Sequence, residues 1–427
     1  MNAHTDDRPP VWNRRHGLRI ERHRATMAHL ASVYPCHTDA SLGERGPYIG
    51  VNVTGGESGW FFDPFELYPS PLTNPNCIVL GDIGSGKSAL VKAFLGRELA
   101  VYGSRRMVTI LDPKGEYTAF AQAHGLPVIR LHPGGTDRLN PMDHRGEPTE
   151  TVRRQSLAAA LVAGVLGRGL DPTEDALLGW AVGTLARSGR TFTLADVAAT
   201  VAEPAEDLVA LSRRTPLELA QAATPVVFAL DKLLTRTLAG MFDGPTSVRI
   251  DWATGPGFVI DLSAVYDDED ALPLVMLAAT SWLPATLHRT DDRRVIQVID
   301  EAWAAVRHGA RHFQGSLKLS RTYGVSTWLV CHRPDDLTAQ ADDGTAVAKI
   351  AAGLLSDIQT RIILRQPPDQ VAAAAELFAL TERERDWIRH LARGRGLWRL
   401  QNHGAVVQTV LTEREKHICN TDTAMAT

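Results

Sequence analysis

At 427 residues, with 44% hydrophobic and 22% charged residues and a net charge of −4, the chain can bury a substantial core and has room for more than one domain. That charge excludes the overall basic field of a dedicated nucleic-acid binder. No run of eighteen apolar residues occurs, since Pro273 and Pro284 interrupt the best candidate, Ala271 to Leu287, and the charged N-terminus does not read as a signal peptide. Cys36, Cys77, Cys331 and Cys419 lack metal-ligand spacing, which argues against a zinc site or a disulfide framework and fits a reducing cytoplasm. Any membrane association is expected to come through partners.

Residues 1–45 read as a basic arm; "NRRHGLRIERHR", Asn13 to Arg24, would either touch phosphate or an acidic surface or remain solvated. In "GPYIGVNVTGGESGWFFDPFELY", Gly46 to Tyr68, alternating apolar residues around Gly55-Gly56 predict a hairpin. The apolar run Asn76 to Leu80 predicts a buried strand that enters "GDIGSGKS", Gly81 to Ser88, and then a helix. Strand, glycine-rich loop and helix in that order form a polyphosphate cradle. Backbone N–H groups turn inward, the helix presents its positive end, Lys87 reaches the outer phosphates and the Ser88 hydroxyl can ligate magnesium. Gly81, Asp82, Ile83, Gly84, Ser85, Gly86, Lys87, Ser88 and Ala89 are therefore the candidate cofactor-binding residues. A chance glycine-rich turn would not carry the whole pattern in that context.

"RMVTILDPKGEY", Arg106 to Tyr117, predicts a strand ending at Asp112, "GLPVIRLHPGG" a further strand and "RLNPMD" an irregular connection, so the pattern is α/β alternation. From Glu150 to Arg236 apolar residues recur at helical spacing, with stops or caps at Asp171-Pro172, Thr193, Glu203-Pro204 and Thr215-Pro216. Strands are then expected at "SVRIDW" and "GFVIDLS", a helix through Ala285, and strands at "RRVIQVIDEAW", "GVSTWLVCHRPDDL" and "TRIILRQPP". The expected organisation is an α/β domain in two parts, 46–149 and 246–415, separated by an all-helical insertion at 150–245 and followed by a tail at 416–427.

Asp112, Asp261 and Asp300 each end a predicted strand, but only Asp300-Glu301 is a pair. A nucleotide-hydrolysing site needs one carboxylate near the metal shell and another to polarise the attacking water, roles that suit Asp300 and Glu301 respectively. Both could instead cap the following helix, and Asp112 could support the site or only its own turn. His332, at the end of "WLVCH", could hydrogen-bond a terminal phosphate and report its loss, or be a satisfied structural histidine. Arg321, Arg333, Arg361 and Arg365 lie near strand ends, with surface or ion-pair roles as the simpler reading; in a ring, Arg321 or Arg361 would complete a neighbour's site.

"DPKGEY", the "IDEAW" acid pair after a long helical stretch, and "CHRPDDL" followed by "TRIILRQ" resemble the FtsK/HerA-like ATPases. Within them, the chain looks most like the VirB/TraG-type ATPases of conjugation and type IV secretion, in the form found on actinobacterial mobile elements. The resemblance runs from Pro47 to Glu415 and includes "DPFELY", "LTNPN", "RLNPMD" and "GRGLW". It implies a RecA-like P-loop NTPase with a mainly parallel sheet flanked by helices and an all-α insertion. It also implies ATP and Mg2+ as cofactors, and hydrolysis coupled to moving DNA or protein. Assembly as a homo-hexamer and docking on a secretion or conjugation membrane complex at the inner face of the cell membrane follow from the same resemblance. Its phosphate loop falls on Gly81 to Ser88 and its acid pair on Asp300-Glu301. Two departures stand out: many members have Gln where this chain has His332, and only about 75 residues precede the phosphate-loop strand, so the chain is expected to be mainly the motor half. The alternatives are a cytoplasmic double-stranded DNA translocase, a small-molecule kinase, against which the long span from loop to acid pair counts, and a nucleotide-gated module with negligible turnover, against which Glu301 counts.

Overall fold

The computed structural model describes residues 42–54, 56–143, 150–203, 208–209, 212–286, 293–307, 317, 323–334, 353, 358–401 and 403–419. Almost all of the basic arm lies outside them. Among the described residues one sheet holds eleven strands in the order β2-β1-β11-β10-β9-β3-β8-β7-β4-β6-β5. These are β1 (Tyr48–Asn52), β2 (Ser58–Phe61), β3 (Cys77–Leu80), β4 (Arg106–Asp112), β5 (Val128–Arg130) and β6 (Gly257–Asp261), then β7 (Arg294–Ile299), β8 (Val325–Cys331), β9 (Thr360–Leu364), β10 (Arg395–Leu400) and β11 (His403–Thr409). Neighbours from β9 to β5 pair in parallel, and those from β2 to β9 antiparallel.

The strands "CIVL" and "VSTWLVC" are buried at every position, as strands covered on both faces must be. Successive side chains serve different layers. Cys77 and Val79 join the apolar cluster of α1 (Lys87–Tyr102) and α2 (Thr118–His124), through Leu90, Phe94 and Phe120. Ile78 and Leu80 join the opposite cluster, with residues of α7 (Ala271–Thr286). That second cluster extends into α3 (Glu150–Leu166), α4 (Pro172–Arg187), α5 (Leu194–Ala202) and α6 (Pro216–Lys232).

The cap signals act as local chemistry requires. Asp171, Thr193 and Thr215 each accept from first-turn N–H groups and close a reciprocal capping box, with Pro172 and Pro216 in the first turn. One expected strand is absent. "SVRIDW" forms no ladder, because Ser247 exchanges hydrogen bonds with the main chain of Arg138 and so pairs with the irregular 136–140 segment. Its alternation reflects Val248, Ile250 and Trp252 packing onto the core.

The hairpin predicted around Gly55-Gly56 forms as β1 and β2, and joins β11 at the sheet edge. Beyond β9 the sequence reading assigns no elements. The structure has α8 (Val371–Leu377), α9 (Glu382–His390), the β10–β11 hairpin and α10 (Glu413–Cys419), whose Cys419 is buried with its thiol against the Ala89 carbonyl.

"DPFELY" has a structural role. Asp63 caps its own turn by accepting from Phe65 N at 2.6 Å and Glu66 N at 2.7 Å, and its other oxygen pairs with Arg106 at the start of β4. Arg106 also donates from Nε to Glu98 of α1 at 2.6 Å, and all three side chains are buried. Burial and the Asp63 carboxylate push the Glu98 carboxyl up, so the guanidinium is what makes the cluster tolerable. Arg106→Ala should cost about 3–5 kcal/mol in urea unfolding, because it strands two buried carboxyls. A loss below about 1 kcal/mol would place the ion pairs among those of no consequence.

Candidate functional site

Parallel pairing brings the carboxyl ends of five strands to one edge. Leu80 lies opposite Cys331, Leu329 opposite Ile299, Ile299 opposite Leu111, and Asp112 opposite Asp261. The loop after β3 therefore neighbours His332, which neighbours Asp300-Glu301, which neighbours the turn after β4.

The loop itself turns through Gly84 and Gly86, both left-handed, with φ of 74° and 105°. Asp82 N donates to the Arg365 carbonyl at 3.0 Å, and Ser85 closes the turn through N and Oγ to the Asp82 carbonyl at 3.2 and 2.7 Å. Ile83 stands exposed at its tip. A second loop seats it: Gly394, at φ 77°, donates to the Ser85 carbonyl at 2.9 Å, and a side chain at Gly86 would press on it. Gly86 gives α1 no side-chain cap, so the first-turn N–H groups, where Ser88 and Ala89 sit, have no side-chain acceptor from the N-cap. Lys87 is buried and folds back on its own loop, donating to the Gly81 carbonyl at 2.5 Å, the Asp82 carbonyl at 3.0 Å and His332 Nδ1 at 2.9 Å. Burial pulls its pKa down, against the opposing pull of Asp300 and Glu301.

Asp300 is buried at the end of β7, and its carboxylate accepts from Glu301 N at 3.0 Å. Burial first, then the charges of Glu301, Glu116 and Asp112, push its pKa up to about 7. Glu301 holds a left-handed backbone, φ 50°, a strained conformation that a non-glycine residue keeps only where its surroundings enforce it. Its Oε1 accepts from His332 Nε2 at 2.7 Å and pairs with Lys114 Nζ at 2.5 Å; its Oε2 accepts from Trp303 Nε1 at 2.7 Å. Burial alone would raise its pKa, but His332 and Lys114 hold it down to about 2, so the group is a carboxylate. With Nε2–H assigned as the donor to Glu301, Nδ1 is left to accept from Lys87, while Lys114 Nζ lies 2.9 Å from Nε2.

The structure thus brings together Lys87, Asp300, Glu301 and His332, in the order the strands dictate. Asp112 holds its turn, accepting from Glu116 N at 3.1 Å and Tyr117 N at 2.8 Å, while Asp261 accepts from Ser263 N at 3.0 Å. Arg361 is not brought to the loop. It lies opposite Ile78, donates to the Ile358 and Phe378 carbonyls of its own chain, and stacks on the Phe378 ring. Arg321 falls outside the described residues. Arg333 and Arg365 are exposed. Sequence reasoning missed Lys114 and Trp303, although both stand in quoted motifs, "DPKGEY" and "IDEAW"; the signal for Lys114 was a cation two residues beyond a strand-terminal acid. No cluster of three His, Cys, Asp or Glu able to hold a metal occurs among the described residues.

A phosphate loop between parallel strands, with an acid pair on a nearby strand end, defines a P-loop NTPase fold. The family described as helicase HerA, central domain, matches residues 64–278, just over half of the chain, and the chain belongs to that family. Its fold is shared with VirB4 of Thermoanaerobacter pseudethanolicus, at 21% identity and a TM-score of 0.69 over 88% of this chain and 98% of that one. It is shared also with the plasmid coupling protein TrwB in complex with the non-hydrolysable ATP analogue ADPNP, at 18% identity and a TM-score of 0.58 over 88% and 94%. TrwB in complex with ADP and Mg2+ matches at 17% identity and a TM-score of 0.53 over 88% and 94%. No curated protein sequence matches the chain. The expected RecA-like class, a mainly parallel sheet flanked by helices with an all-helical insertion, is the fold observed.

Proposed function

We propose that the chain is an ATP-hydrolysing motor that energises conjugative DNA transfer or type IV secretion, working as a nucleotide-dependent hexameric ring. The observation that carries this reading is the convergence of Lys87, Glu301 and His332 beside the phosphate loop. The loop N–H groups and the start of α1 bind the phosphates of ATP, and Lys87 leaves its carbonyl partners to neutralise the outer ones. Ser88 and Asp300 would hold magnesium; one hydroxyl and one carboxylate suit an ion that arrives with substrate phosphates, and it would supply charge neutralisation there. Glu301 polarises the attacking water, and His332 couples that carboxylate to Lys87. The kinship to VirB4 and to a bacterial conjugative coupling protein supports a place in conjugation or secretion. No described helix is long and apolar enough to cross a membrane; the proposed position is cytoplasmic, at the inner face of the cell membrane, through a docking partner.

In a ring, an arginine from the neighbour completes each site. The internal bonds of Arg361 favour Arg321 for that role. Specific ATPase activity should then rise with protein concentration, in step with assembly seen by sedimentation. A flat curve over the assembly range would overturn the ring. Stimulation by bare duplex DNA would favour the second reading, a cytoplasmic DNA translocase without a secretion channel.

A further inference from the structure

We propose that Lys114 is a second terminal-phosphate ligand, which lets the site tell a triphosphate from a diphosphate and exchanges Glu301 for the phosphate when the triphosphate binds; this rests on the nucleotide-binding reading above. Lys114 follows Asp112-Pro113 at the end of β4, and its ammonium reaches past the end of β7 toward β8. There it lies 2.5 Å from Glu301 Oε1 and 2.9 Å from His332 Nε2. Since Nε2 donates to the same Oε1, the contact with Lys114 is one of two donors sharing an acceptor.

Lys87 touches the opposite nitrogen of that ring. The two ammonium groups are separated by one imidazole, so a phosphate held by Lys87 enters the range of the flexible Lys114 stem. A terminal phosphate carries more than one negative charge on three oxygens, and competes strongly for a cation now shared with a single carboxylate oxygen. Glu301 tolerates the loss. Oε1 keeps His332 and Oε2 keeps Trp303, both at 2.7 Å, so the carboxylate stays positioned after Lys114 departs. The exchange has a consequence for chemistry: with Lys114 on Oε1 the carboxylate is neutralised and its lone pairs are engaged, and with Lys114 on phosphate it is free to accept a proton from water. A diphosphate ends one phosphate short of this space, and leaves the Lys114–Glu301 pair closed. The side chain of Lys114 is 23% exposed, so it is open to an entering ligand in a way the 4% exposed Glu301 is not.

The test uses the full chain and titrates ADP and a non-hydrolysable triphosphate analogue, both with magnesium, into wild type, Lys114→Ala and Lys114→Arg. Lys114→Ala should weaken the triphosphate analogue about tenfold to a hundredfold and leave ADP within about twofold; Lys114→Arg should recover most of the difference. Glu301→Gln, which releases Lys114 from its ion pair, should bind the analogue more tightly, and the gain should disappear in the double variant with Lys114→Ala. Equal weakening of both nucleotides, or unchanged binding of both, overturns the exchange while leaving the nucleotide site intact. A wild-type chain that binds neither nucleotide overturns the proposed function and this inference with it. Thermal unfolding of each variant separates a lost contact from a lost fold.

Discussion

Lys87→Ala should lower ATP turnover by at least about a hundredfold, the scale of removing one pre-placed donor from developing transition-state charge. Loss of the ammonium also leaves the Gly81 and Asp82 carbonyls and His332 Nδ1 without their shared donor, so the empty loop should loosen as well. Steady-state hydrolysis with and without the substitution, on protein whose unfolding transition is intact, measures the effect. A folded variant with wild-type turnover would mean that the loop beside His332 is not the reacting site.

Glu301→Gln keeps the shape and an acceptor for His332 or Trp303 but removes the charge. Turnover should fall about 10²- to 10⁴-fold while ATP still binds, the pattern expected when an interaction made in the transition state is lost and ground-state binding is retained. Single-turnover kinetics alongside equilibrium binding separate the two steps. If binding disappears with turnover, Glu301 is a strut holding Lys114, His332 and Trp303 in place, and the water-polarising role must pass to another group.

Both expectations begin in spacing along the chain, and so do most elements near the site. The strand before Gly81, the strand ending at Asp300 and the capped helices from Pro172 to Lys232 each announce themselves locally. "SVRIDW" shows the limit of such signals, since the same alternation serves a strand or an extended segment that hydrogen-bonds to Arg138. The β10–β11 hairpin shows the converse. Gly396 and Gly404 weaken the local pattern, and pairing of β10 with β9 is what makes it a strand.

By itself, the sequence determined the glycine-rich turn between a buried strand and a helix, and which acids stand paired at a strand end. Those features depend on neighbours a few positions apart, where backbone geometry and helix or strand period leave little choice. The order of strands in the sheet was decided only by tertiary structure, and with it every contact across the site. β7 and β8 lie between β4 and β3, which sets Lys114 on Glu301, Glu301 on His332, and His332 on Lys87. It also turned Arg361 inward onto Phe378 and set Asp112 to hold a turn. The physical reason is that a side chain at a strand end has a known direction but no known neighbour until the sheet is assembled. The burial that pushes the Asp300 pKa up to about 7, and the paired charge that holds Glu301 ionised, exist only once those ends meet.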